Sequence, residues 1–290
     1  MQPIPRFWEK VVSPATDADG KPLRLTIWGW STTSLGHARE VAGRRLAETV
    51  ARLAAGARLG RYYPRMPLRE QTLQEFHGTD GTLIAATTRN RYGAEVLNTD
   101  RVLIADVDLP QAPTPLVRAG GLLRRLLGAG TPGPEPAADP AALALNRVRA
   151  FDAAHPELGA HVYRTAAGLR VVITGTAAAP DSPEADRILQ ELAADPVYVR
   201  LCATHKTYRA RLTPKPWRCG APRITITWPY PDQDTAERTE AWIRTYRQRS
   251  RPYATCHLIE RLGATPGRDE GLILDIHDRA TVAGPEVPLA

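Results

Sequence analysis

Two periods run along the chain. Residues 24–30, Arg24-Leu25-Thr26-Ile27-Trp28-Gly29-Trp30, are β-branched and aromatic and predict a strand, with Gly29 relieving a close approach. Past the hydroxyl-rich 31–34, the apolar positions Leu35, Ala38, Val41, Ala42, Leu46, Val50 and Leu53 fall on one helical stripe. That predicts a helix over 35–54, with Arg39, Arg44 and Arg45 on its polar side and Gly56 and Gly60 ending it.

A proline-broken, arginine-bearing segment covers 61–70, and strand character returns at 81–88. Residues 89–93 read as a turn. Two further runs, 94–97 and 102–108, read as a strand pair around Asn98-Thr99-Asp100. From 109 to 140 proline, glycine and alanine dominate, which predicts an insertion or lid with one short helix at 122–127. Asp139-Pro140 opens a helix through Leu143, Leu145, Val148 and Phe151. A hairpin follows, 161–165 and 169–174 about Ala166-Ala167-Gly168, and then a helix capped at Ser182-Pro183. Residues 208–217 are basic and extended, and 223–228 read as a strand. Asp234-Thr235-Ala236-Glu237 reads as a capping box before a helix with Trp242, Ile243 and Tyr246, and 272–276 as a closing strand. Helices mixed with antiparallel-type strand pairs predict an α+β fold. The expected organisation is a core over 1–235, carrying the 109–140 insertion, and a small extension over 236–290.

Composition narrows the function classes. The chain has 290 residues, 43% of them hydrophobic, enough for a sizeable core. No apolar run nears the ~20 residues of a membrane span. The first residues lack the apolar stretch of a secretory signal, so a cytoplasmic, non-membrane protein is expected. Cys202, Cys219 and Cys256 are widely spaced, which argues against a disulfide framework or a thiolate zinc site. The net charge of +7 favours polyanionic partners, although in a chain rich in Ala, Arg, Pro and Gly an excess of Arg can equally be compositional.

Three constellations could carry chemistry. In Val102-Leu103-Ile104-Ala105-Asp106-Val107-Asp108 the carboxylates sit at i and i+2, on one side of a strand. Such a pair repels itself unless a cation, a proton or an arginine joins it, and hard divalent cations favour these oxygens. Strand-end acids paired to arginines would look the same. Around the 166–168 turn, Arg164, Thr165, Gly168 and Arg170 form a second group, in which the two guanidinium forks could clamp a phosphate. Third, Arg209, Arg211, Lys215 and Arg218 alternate with Tyr208 and Trp217, a pattern that suits single-stranded nucleic acid and equally a charged edge strand. His205, His257 and His277 lack metal-site spacing and read as structural; Asp275 and His277 would share a strand face. Phosphate-loop, dinucleotide, nucleophile-elbow and kinase motifs are absent.

The order of these motifs resembles the archaeo-eukaryotic primase superfamily, including the primase-polymerases. Leu103-Ile104-Ala105-Asp106-Val107-Asp108 looks like its Asp-x-Asp strand, and residues 164–173 look like its second motif; 82–228 is covered. The resemblance implies an RRM-related core with a mixed, largely antiparallel sheet. It also implies nucleotidyl transfer with Mg²⁺ or Mn²⁺ at Asp106 and Asp108, and nucleoside triphosphate or nucleic acid as partner. Two departures stand out. Arg170 takes the place of the family's nucleotide-binding histidine. The third acid has no clear counterpart: Asp232 and Asp234 are the best candidates and Asp195 a weaker one. A non-catalytic nucleic-acid or nucleotide binder and a metal-dependent nuclease or phosphoesterase are the alternatives.

Overall fold

The computed structural model describes residues 1–17, 19–57, 66–110 and 139–290. In chain order these form β1 (Phe7–Thr16), β2 (Pro22–Ser31), α1 (Leu35–Ala54), β3 (Gln71–His77), β4 (Leu83–Arg89), β5 (Glu95–Thr99) and β6 (Leu103–Asp108). There follow α2 (Pro140–Ala154), β7 (Gly159–Thr165), β8 (Gly168–Thr174), α3 (Pro183–Glu191), α4 (Pro196–His205), β9 (Tyr208–Arg211) and a 3-10 turn (Pro216–Arg218). The chain continues with α5 (Gln233–Ser250), β10 (Cys256–Gly263) and α6 (Arg268–Thr281). The predicted insertion lies mostly in 111–138, outside the described residues.

The fold is α+β, with two four-stranded sheets ordered β10-β7-β8-β6 and β3-β4-β5-β9, and a separate β1-β2 ribbon. Every pairing between named strands is antiparallel. The ribbon holds α1 closely. A Cβ on Gly29 would run into the backbone of Ala38 and Ala42, so only glycine lets strand and helix meet there.

Local chemistry sets the helix starts. Ser34, Asp139, Ser182 and Asp195 each accept a backbone N–H with the side chain, and the last three precede a proline whose missing N–H costs nothing at that position. The helix at 233–250 is capped by Asp232, which accepts from Thr235 N, rather than by the expected Asp234. Strand β8 is buried along its whole length, Arg170 included, and its run Val171-Val172-Ile173 is continuously apolar as in a strand covered on both faces. On one face of its sheet Val107 and Leu169 pack with Ala144 of α2. The other face carries Asp106, Arg170 and Tyr163, which lie side by side in register, and meets β9 and α6.

Several expectations are corrected. The runs 94–97 and 102–108 are not partners: β5 pairs with β4 and β9, while β6 joins β8 in the other sheet. Local apolar and β-branched character marks both as strands but carries no information on which sheet each enters. Residues 223–228 lack strand pairing. Residues 272–276 lie inside α6, because Ile273, Leu274 and His277 bury at helical spacing. Within residues 236–290, β10 forms an edge strand of the sheet containing β6. Among the described residues, no helix is long and apolar enough to cross a membrane.

Candidate functional site

Strand β6 delivers Asp106 and Asp108 to the rim of a cleft of about 820 Å³. Asp106 is half-buried and Asp108 exposed. Opposite Asp106 in the register stands Arg170, whose side chain is 1% exposed. Its Nε donates to Asp106 Oδ1 at 2.9 Å. Its Nη1 reaches the Arg211 carbonyl oxygen at 3.0 Å and His277 Nε2 at 3.4 Å. Burial works against the Arg170 charge, but Asp106 beside it, together with Cys256 and Tyr198, more than offsets that and holds the guanidinium protonated.

His277 is part of the support. Burial depresses its pKa and keeps the ring neutral. With Nε2 accepting from Arg170, Nδ1 carries the proton toward Asp278 Oδ1, 2.9 Å away. Asp278 Oδ1 also accepts from the Tyr163 hydroxyl at 2.7 Å. A chain of polar groups thus runs from the cleft wall through Arg170 and His277 to Asp278 and Tyr163. The sequence offered no spacing signal for this, because His277 comes from a helix 107 positions away from Arg170.

Strand β9 and the loop after it form the opposite wall. Arg211 is pushed down to about 10 by burial and by the charge of Arg170, with Asp106 acting the other way. Lys215 is lowered by burial and by Arg211 and Arg218, and Asp108 and Asp106 oppose that shift. Three cations therefore crowd one another while facing the two β6 carboxylates. Among the described residues, seven Lys and Arg side chains line the cleft, against four carboxylates. Such an excess favours an anionic occupant.

The predicted residues divide clearly. Asp106, Asp108, Thr165, Arg170, Arg209, Arg211, Lys215 and Arg218 all line the cleft. Arg209 does so while buried and ion-paired, its Nη2 2.8 and 2.9 Å from the Glu70 carboxylate oxygens. Thr165 Oγ1 accepts from Gly168 N and shapes the β7–β8 turn. Gly168 serves strand pairing, since a Cβ there would strike the Val107 carbonyl of β6. Arg164 does not join Arg170: neighbouring residues of β7 point oppositely, and Arg164 is absent from the lining. Tyr208 is fully buried, its hydroxyl bonded to the Ala178 carbonyl, and offers no stacking face; Trp217 is 47% exposed.

Asp232 caps α5 away from the cleft, and Asp234 pairs with Arg238 on the same helix. Asp195 does reach the cleft, and its backbone N–H donates to the Asp106 carbonyl. Both of its carboxylate oxygens accept from the first turn of α4. Asp275 and His277 do not share a face, since both lie on α6 with the first exposed and the second buried. Among the described residues no group of three or more His, Cys, Asp or Glu is arranged to hold a metal ion by itself. Arg170 occupies one oxygen of Asp106, so the donor set fits a single hard cation that would take its remaining ligands from water or phosphate oxygens.

No protein-family model, no curated protein and no solved structure matches the chain.

Proposed function

We propose that the cleft binds the polyphosphate of a nucleotide at the Asp106/Asp108 edge together with one divalent cation, in a primase-polymerase-like nucleotidyltransferase acting on nucleic acid. The observation that carries this reading is the meeting of two β6 carboxylates with Arg211, Lys215 and Arg218 in one cleft. Carboxylates facing a cation cluster suit a metal-bridged phosphate, in which the metal neutralises the acids and the cations hold the remaining oxygens. The volume lies within the range of nucleotide-sized pockets, roughly 300–1,000 Å³. Asp108 and the free oxygen of Asp106 would hold Mg²⁺ or Mn²⁺, which would polarise a phosphoryl oxygen.

The second reading, a non-catalytic nucleotide or nucleic-acid binder, is favoured by one observation: Asp106 is already neutralised by Arg170. A two-ion mechanism needs more carboxylate than this pair supplies. The test combines triphosphate binding, with and without Mn²⁺, and incorporation on a primed template. Metal-stimulated binding and incorporation, both lost in Asp108→Asn, support the transferase. Metal-independent binding without incorporation supports the binder. Absence of triphosphate binding under either condition sinks both. Strand cleavage without nucleotide would instead mark a nuclease.

A further inference from the structure

A second concavity of about 380 Å³ adjoins the cleft, and the wall between them is shared: Tyr92, Pro216 and Trp217 line both. We infer that this wall is a stacking ridge over which a single strand of nucleic acid passes from the main cleft. The inference rests on the nucleotide reading of that cleft and deepens it by naming the strandedness of the nucleic acid and the surface that holds it.

The ridge is aromatic and open. Tyr92 is 44% and Trp217 47% exposed, and their rings meet edge to face with centroids 5.7 Å apart. Single exposed aromatics are ordinary on a protein surface. Two in contact between two concavities are not explained by core packing, which they leave half undone. The ridge is also rigid. Tyr92 lies in the β4–β5 turn, and the carbonyl of its neighbour Arg91 accepts from Ile226 N at 2.8 Å. Trp242 of α5 fills the space where a Cβ on Gly93 would sit. Trp217 rides on a proline-started 3-10 turn, and the Tyr246 hydroxyl bonds the Pro214 carbonyl just before it. A surface braced in this way loses little entropy when a flat ligand lands on it.

Charge selects the ligand. The Arg91 guanidinium lies 5.2 Å from the Tyr92 ring and Lys215 Nζ 5.7 Å from the Trp217 ring. Arg218 stands on the cleft side and Arg223 lines the second concavity. None of these four makes an ion pair among the described residues. Cations on both sides of an aromatic ridge match a chain with one phosphate per base, so that phosphates meet the cations while a base lies on a ring. A duplex keeps its bases stacked inside and has no free face to offer, so the ridge discriminates for single strands.

The test is fluorescence anisotropy with a labelled oligothymidylate, an oligouridylate and a duplex of equal length, using the full chain. Each single strand should bind with steep salt dependence, and the duplex more weakly. Trp217→Ala and Tyr92→Ala should each weaken single-strand binding by about five- to a hundredfold, and Trp217→Phe should retain most of it. Both side chains are half-exposed, and circular dichroism checks that the variants fold. The inference is overturned if wild type binds no single strand, if the alanine variants bind as wild type does, or if the duplex binds as tightly with equal losses. Triphosphate binding to the unmodified protein is measured separately. Its absence would remove the reading of the main cleft, whereas ridge variants that fail to weaken oligonucleotide binding would remove only this inference.

Discussion

Arg170 and Asp106 stand opposite each other in the β6–β8 register, joined by a 2.9 Å bond from Nε to Oδ1 that leaves one carboxylate oxygen for the cleft. The pair has a structural duty besides any role in binding. Removing Asp106 would leave a guanidinium with 1% exposure whose remaining partners among the described residues are a carbonyl, a thiol and a neutral imidazole. Asp106→Ala should therefore lose roughly 3–5 kcal/mol in a urea titration. Asp108 is exposed and makes no such bond among the described residues, so Asp108→Asn should stay within about 0.5 kcal/mol of wild type. Loss of function in Asp106→Ala alone would then be confounded with unfolding, and Asp108→Asn is the cleaner probe of the site. Equal stability of the two variants would show that the ion pair contributes nothing to folding.

Acid sensitivity should set in earlier than carboxylate titration alone would give. Burial depresses His277, which is flanked by Arg170 and Asp278; burial likewise depresses His161 and His205. A histidine with a lowered folded pKa takes up its proton later than the unfolded chain does, and the unfolded value is about 6.5. Below that pH the unfolded form holds more protons, so stability falls with falling pH until the folded groups also titrate. Each such histidine adds a slope of up to about 1.4 kcal/mol per pH unit within that window. The melting temperature should decline between pH 7 and pH 5, and His277→Asn should show a shallower decline than wild type. Asp278, held low by its bonds to His277 and Tyr163 despite burial, contributes only at still lower pH.

What could be read from the chain beforehand follows from the range of each interaction. The caps at Ser34, Asp139 and Ser182 act within three residues, so their sequence signals were sufficient. The Asp-x-Asp strand was legible for the same reason: alternation alone puts both acids on one side. Pairing between β5 and β9, 109 positions or more apart, leaves no local trace, and neither does the contact of Arg170 with His277. Residues 272–276 fit either period, because five residues are too few to separate strand from helix; the burial of Ile273, Leu274, His277 and Thr281 is helical. Arg209 illustrates the limit for sites. Its charge was evident in the chain, but its engagement by Glu70, 139 positions earlier, was not.

Gly168 should be irreplaceable for a reason unrelated to ligand. It pairs with Asp108, and a Cβ there would overlap the Val107 carbonyl. Gly168→Ala must push β6 from β8, at a cost of about 1–3 kcal/mol as for other overpacked positions. The same displacement moves Asp108, so triphosphate binding should weaken along with thermal stability. Retention of both would place the strand contact elsewhere.

Glu70 offers a substitution whose effects on stability and on binding run in opposite directions. Its carboxylate holds Arg209 at 2.8 and 2.9 Å and accepts from Thr88 Oγ1 at 2.6 Å, with side-chain exposures of 13% for Glu70 and 7% for Arg209. Glu70→Gln keeps the shape but leaves the buried Arg209 without a counter-charge, which should destabilise the fold by roughly 3 kcal/mol. Glu70 is also one of the four acids lining the cleft, so its neutralisation makes the lining more positive. Oligonucleotide affinity at low salt should rise a few-fold while the urea midpoint falls, and the gain should fade as salt screens the cleft. A fall in both would mean that Arg209 must be held in place for binding, and unchanged affinity would mean that the cleft does not attract the polyanion through its field.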